Sequence, residues 1–210
     1  MRVYHFLSTK NALDDLARRH IRISELDELN DPFELWCSAQ DNPGIRRALR
    51  GWKKEMAQKY GMLCFCRHWR NPLLWSLYAD KHRGVCLGFD VDEVFLTPVS
   101  YVKKRTDLEL PPTQEAVRQL LYTKYRDWSY EEELRCWVRL DERDESTGYY
   151  FHDFDENVRV REVIAGPLCD EPRAAFDAAL KGYEDTISVM KARLAFRTFG
   201  VAENKRGFNR

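Results

Sequence analysis

The stretch Trp128-Ser-Tyr-Glu-Glu-Glu-Leu-Arg135 concentrates more chemistry than any other part of the chain. Glu131 and Glu133 stand two residues apart, between Trp128 and Arg135. Residues i and i+2 of a strand share a face. A strand that starts this early therefore turns Glu131, Glu133 and Arg135 one way and Tyr130, Glu132 and Leu134 the other. Two carboxylates at a strand entrance can bind a sugar hydroxyl, a cation or a metal ion. The same residues also read as an edge strand with solvated charges, its arginine pairing a glutamate, because clustered charge marks a site only part of the time. Lys124 precedes Trp128 by about one helical turn. It either neutralises a phosphate beside the Glu pair or lays its stem on the surface with its head in water.

Other residues offer weaker chemistry. Cys64, Cys66 and His68 alternate and can share a strand face, but C-x-C is not the usual zinc spacing and a closed zinc site needs four ligands. Buried thiols beside a polar strand end, or a Cys nucleophile with a His partner, are the other readings. His5 lies between Tyr4 and Phe6 in an apolar strand, as a core histidine satisfied by a carbonyl or as a ligand-facing one. Trp75 and Tyr78, three apart on a helix, share a face and either pack in the core or form a stacking wall for a flat ring. Asp31 and Glu34 flank Phe33 in Asn30-Asp-Pro-Phe-Glu34, a turn in which Asx side chains bond local backbone and Pro fixes φ. Phe33 is expected to anchor that turn in the core, with Asp31 and Glu34 toward a cleft.

The elements that must position these residues follow from patterning. Val3–Leu7 reads as a first strand, Ser8 or Thr9 as a helix cap, and Ala12, Leu13, Leu16 and Ala17 as helical spacing. Ile21–Ile23 is a second short strand. Asn42-Pro43 opens a helix with Ile45, Ala48, Leu49, Trp52 and Met56 as its apolar stripe; its Arg46, Arg47, Arg50, Lys53 and Lys54 read as a solvated face. Met62–Cys66 is a buried strand. Asn71-Pro72 caps a short helix, and Gly84–Phe89 is a central strand whose glycines allow close backbone approach. Pro98–Tyr101 is a short strand and residues 112–127 a helix. Val163–Ala165 is another strand. The tail from Pro172 to Leu194 reads as helical, Arg197–Val201 as an edge strand and Asn204–Arg210 as frayed. No glycine-rich phosphate loop follows the first strand, so a dinucleotide-binding or P-loop fold is excluded. The expected class is α+β, a small split or mixed sheet with packed helices. The expected organisation is an α+β domain over 1–170 with a C-terminal helical extension, 171–210, packed on it.

Composition bounds the function. With 210 residues the chain fits one domain plus an appendage. A hydrophobic content of 44% supports a core. Lys+Arg and Asp+Glu both number 34, which argues against a general polyanion binder while allowing a local basic groove. The six cysteines sit mostly in apolar runs, where a thiol acts as a small hydrophobe. The opening Met1-Arg-Val-Tyr-His shows no leader pattern, and no apolar run nears the ~18–20 residues that span a bilayer. The reading is a cytoplasmic protein with reduced thiols and no membrane partner.

Several motifs occur together: Asn30-Asp-Pro-Phe-Glu34, Trp75-Ser-Leu-Tyr-Ala-Asp80, His82-Arg-Gly-Val-Cys-Leu-Gly-Phe89, Pro98-Val-Ser-Tyr101 and Trp128 to Arg135. Together they resemble a large bacterial and phage family of domains of unknown function with N-D-P-F-E, W-S-x-Y-A-D-x-H-x-G and W-x-Y-E-x-E-W-R motifs, over residues 2–170. Leu134 stands where a Trp is usual, and Cys66 where a Ser often follows Cys-Phe. More distantly, the pattern is similar to ADP-ribosyltransferases, which spread a His or Arg, a Ser/Tyr element and an E-x-E over a split sheet. That resemblance implies NAD as substrate. Tyr4 and His5 would hold it, Phe65 and Cys66 would form the second element with Trp75 and Tyr78 beside it, and Lys124 would meet a phosphate. Glu133 would be catalytic, bonding a ribose hydroxyl as nicotinamide leaves, and Glu131 would orient the acceptor. It also implies a transferase acting on protein or nucleic acid, in a toxin or antiviral defence effector with an antitoxin or defence-system partner. The alternatives are a Mg²⁺-dependent nuclease or hydrolase using Asp31, Glu34, Glu131 and Glu133, and a non-enzymatic module that recognises a nucleotide or partner. The leading reading implies no metal.

Overall fold

A computed structural model describes residues 1–39 and 41–208. In chain order the elements are β1 (Arg2–Leu7), α1 (Thr9–Arg18), β2 (His20–Arg22), β3 (Ser24–Glu25), α2 (Pro43–Ala57), β4 (Tyr60–Cys66) and α3 (Pro72–Tyr78). They continue with β5 (Val85–Val91), β6 (Thr97–Pro98), β7 (Ser100–Val102), α4 (Gln114–Tyr122), β8 (Thr123–Tyr125) and β9 (Glu133–Arg139). Last come β10 (Phe151–Asp153), β11 (Val158–Ala165), α5 (Arg173–Ala179), β12 (Ser188–Leu194) and β13 (Val201–Glu203). The chain is α+β with a mixed sheet, as patterning led us to expect.

Local sequence sets the helix starts. Ser8 Oγ accepts the Asn11 N–H at 3.2 Å, Asn42 Oδ1 the Gly44 N–H at 2.7 Å and Asn71 Oδ1 the Leu73 N–H at 3.0 Å. Each satisfies one of the donors that a helix N-terminus leaves unpaired. Pro43 and Pro72 follow their caps, where a missing N–H costs nothing.

Two compact units divide the chain. The first comprises Met1–Ile21, Phe65–Glu93 and His152–Arg210. Its strands run in the order β13-β12-β11-β5-β1, all neighbours antiparallel except the parallel pair β11–β12. The β5 strand is buried along nearly its whole length. A Cβ at Gly88 would lie 2.9 Å from Glu162 Oε2 and 3.1 Å from the Tyr4 ring, so a larger residue would have to push these side chains aside. Trp75, fully buried, meets Phe6 edge-on at 5.1 Å and donates its indole N–H to the Trp69 carbonyl. Phe89, Val163, Ile164 and Phe176 fill the same core.

The second unit comprises Arg22–Cys64 and Val94–Phe151. Here the strand order is β3-β4-β9-β6, and β7 pairs in parallel with β8. Leu49 of α2 and Leu120 of α4 pack with Cys37 and Leu108, and Leu26, Leu35 and Met62 make a second cluster. Of the five cations expected on the solvated face of α2, Arg47, Arg50 and Lys54 are exposed, while Arg46 and Lys53 are half-buried.

The structure corrects several expectations. The tail is helical only over Arg173–Ala179; residues 188–194 and 201–203 are strands of the first unit's sheet. Gly182, at φ 83°, breaks the helical run, Val189 and Met190 find a strand partner in β11, and Ala192 finds one in β13. Residues 171–210 are thus not a helical extension. Nor is 112–127 one helix: α4 ends at Tyr122 and β8 follows. Phe33 does not anchor its turn in the core but stands 56% exposed, while Leu35 is buried. Asn204–Gly207 is closed by Asn204 Nδ2 donating to the Gly207 carbonyl at 2.9 Å; the end of the segment expected to fray, 209–210, lies outside the described residues.

Candidate functional site

The second unit turns the Trp128–Arg135 stretch inward. The chain leaves β8 into a 3₁₀ turn, Arg126–Glu131, and reverses at Glu132, whose φ of 44° is left-handed. The strand therefore begins at Glu133 rather than before Glu131. Tyr101 Oη accepts the Glu133 N–H at 2.9 Å and fixes that entrance. Glu133 and Arg135 share a face, as their spacing requires, but the face is buried. The solvated-edge reading is overturned: Glu131, Glu133, Lys124 and Glu34 are all buried and Arg135 is wholly so.

Burying five charges is tolerated only if each is paired. Lys124 Nζ donates to Glu131 Oε2 at 2.7 Å and Glu133 Oε2 at 3.3 Å, and lies 3.6 Å from Glu34 Oε2. Its ammonium sits 4.9 Å from the Trp128 ring centroid. Arg135 grips Glu133 with Nε at 2.8 Å and Nη2 at 3.1 Å, donates Nη1 to the Leu121 carbonyl at 2.7 Å, and pairs with Glu34. Asp31 is buried beside them; its Oδ1 accepts the Phe33 N–H at 2.9 Å, and its Oδ2 has no hydrogen-bond partner. Burial pushes the Glu133 carboxyl up, with Lys124 pulling it back. Burial likewise pushes the Arg135 guanidinium down to about 9, with Asp31 opposing.

A pocket of about 300 Å³ opens beside this cluster. Phe33, Trp36 and Tyr125 line it with rings; Lys103, Lys104 and Arg105 line it with cations; Lys124 reaches it from the cluster. The Arg105 guanidinium lies 5.0 Å from the centre of the Phe33 ring. The exposure of Phe33 and Tyr125, both about half open to solvent, is here an aromatic wall. Of the residues read from the sequence as ligand-binding, Lys124 alone lines this pocket. Sequence reasoning did not single out Lys103–Arg105, Trp36 or Phe33 as pocket-lining residues. The available signal was a run of three cations directly after a strand, downstream of the Asx turn that carries Phe33.

The residues assigned to NAD in the first unit lie on β1, β4 and α3. Tyr4 pairs with Cys66 across β1 and β4. Its phenol is pushed up to about 12, first by burial and then by Glu162. His5 is edge-on to Phe65 at 6.2 Å, and Phe65 to Phe89 at 5.7 Å. The Cys66 thiol donates to the His68 carbonyl at 3.3 Å. Phe65, Cys66 and Trp75 are buried. Tyr78, half-buried, ends α3. Cys64, in the second unit, is half-buried, and desolvation holds its thiol well above the ordinary range, which makes it a poor nucleophile.

Among the described residues one group has metal-ligand spacing, Asp14, Asp15 and His20 in the first unit. His20 Nε2 lies 3.6 Å from both carboxylates, and burial lowers its affinity for a proton. No helix of the described residues is long and apolar enough to cross a membrane. Comparison with protein-family models, with curated proteins and with solved structures finds no match.

Proposed function

We propose that the second unit binds a phosphorylated ring compound of the nucleotide class, NAD being the candidate that the motif resemblance supplies. One observation carries this reading: three aromatic side chains and three consecutive cations line one pocket whose inner wall is Lys124. A flat ring gains stacking contact on Phe33, Trp36 or Tyr125, and the phosphates meet Lys103, Lys104 and Arg105. Lys124 is a fixed cation held at the back by Glu131 and Glu133. It is already buried, so this cation loses no further hydration when the ligand arrives.

ADP-ribosyl transfer is the reaction to which this reading extends. Departure of nicotinamide leaves positive charge on the ribose, which a nearby carboxylate stabilises. Glu131 suits that role better than Glu133, whose two oxygens are occupied by Arg135 and Lys124. The Mg²⁺ reading is less well supported. Glu34, Glu131 and Glu133 do converge, but on the Lys124 ammonium, which stands where a divalent ion would have to stand.

A calorimetric panel of NAD, ADP-ribose, AMP, nicotinamide and Mg²⁺ tests the proposal. Saturable binding of the first three, with nicotinamide and Mg²⁺ much weaker, is the expected result. Mg²⁺ binding without nucleotide binding overturns it. Release of nicotinamide from NAD by the wild type, lost in Glu131→Gln, identifies the transferase.

A further inference from the structure

The first unit carries a surface that its core does not explain. The strands β12 and β13 form a hairpin closed at Leu194–Val201, and Ala195 N–H donates to the Gly200 carbonyl at 2.9 Å. The loop between them is Phe196-Arg-Thr-Phe199. Phe196 is 87% exposed and Phe199 is fully exposed. Two such rings in water are an unusual expense for one short loop, and paired exposed aromatics mark interaction sites. The Arg193 guanidinium stacks on Phe196 at 4.1 Å from the ring centre, and Arg197 lies between the two rings in sequence. Lys205 and Arg206 follow β13, and both are exposed. From Arg193 to Phe208 the only acid is Glu203.

We infer that this hairpin is a landing site for single-stranded nucleic acid, with Phe196 and Phe199 stacking on bases and Arg193 and Arg197 meeting phosphates at the tip, while Lys205 and Arg206, at the far end of β13, extend the track along the strand. The pattern of the surface selects the partner. A single strand alternates flat rings with negative charges, and this loop alternates flat rings with positive charges. A lipid surface fits less well, because inserting Phe196 would drag the guanidinium stacked on its face into hydrocarbon. A duplex hides its bases and offers the rings nothing to stack on. The chain's zero net charge is no obstacle, since the cations here are local. The inference is independent of the pocket in the second unit.

The test is fluorescence anisotropy with a labelled 12-nucleotide oligothymidine, its RNA counterpart and a 12-base-pair duplex, at low and moderate salt. Expected is saturable binding to the single strands, weaker for the duplex, falling as salt rises. Phe196→Ser with Phe199→Ser should weaken single-strand binding by at least about tenfold, from the loss of base stacking. Arg193→Gln with Arg197→Gln should flatten the salt dependence. Both rings are solvent-exposed, so the serine variant should melt with the wild type, which separates lost binding from lost fold. Unchanged affinity in the serine variant, absence of saturable binding at low salt, or vesicle binding that the oligonucleotide does not compete for would each overturn the inference.

Discussion

Glu133 draws two roles from the same atoms. As a catalytic acid it would be dispensable for folding; as the carboxylate gripped by Arg135 it is not. Removing one partner of a buried ion pair strands the other, at a cost of about 3–5 kcal/mol. Glu133→Gln is therefore expected to lower unfolding free energy in urea by that amount, and an unchanged denaturation curve would restore its catalytic assignment. Trp75 is argued the same way. With no exposed surface and an edge-on Phe6 neighbour, Trp75→Ala should cost about 3–5 kcal/mol, and a negligible change would put it back in an open cleft. Spacing told us that Glu133 and Arg135 share a face, because period-two alternation is local. It could not tell us that the face is buried, since Glu34 and Lys124 arrive from segments far away in sequence.

Short elements were legible where their chemistry is local. The Asn42-Pro43 and Asn71-Pro72 starts, the Asx turn at Asp31 and the central β5 all appear where caps, turns and apolar runs put them. The tail was not legible, because β12 is made a strand by parallel pairing with β11, a non-local contact. One loop offers a titration. Asp144 Oδ1 accepts from the hydroxyls and backbone N–H groups of Ser146 and Thr147. These bonds hold the Asp144 carboxyl down at about 2, from an ordinary 3.8. A lowered folded value means that its stabilisation is present above 3.8 and is lost as pH falls toward 2. Carboxyl NMR should find Asp144 titrating near 2, and a midpoint near 3.8 would show that the Ser146 and Thr147 bonds are not held in solution.

At the scale of the whole chain, the two units are interleaved in sequence, each assembled from separated segments. An expected boundary at residue 170 cuts through the first unit's sheet, since β12 and β13 follow it. A fragment ending at residue 170 loses buried Phe176, Ala192 and Val201 and leaves β11 without a partner on one side. It is expected to unfold without the cooperative transition of the full chain. A sharp transition at the full-length temperature would show that the tail is an appendage after all. Composition foresaw none of this: balanced charge and a 44% hydrophobic content fit many arrangements of the same elements.

The most direct measurement is calorimetric titration of NAD and AMP into the wild type and into a Lys103→Gln, Arg105→Gln variant. Both side chains are exposed, so melting should stay within about 0.5 kcal/mol of the wild type. Saturable binding that weakens at least about tenfold in the variant is the predicted result, as expected for lost charge-assisted hydrogen bonds. No binding to the wild type, or equal binding to both proteins, would contradict a phosphate-binding role for this pocket.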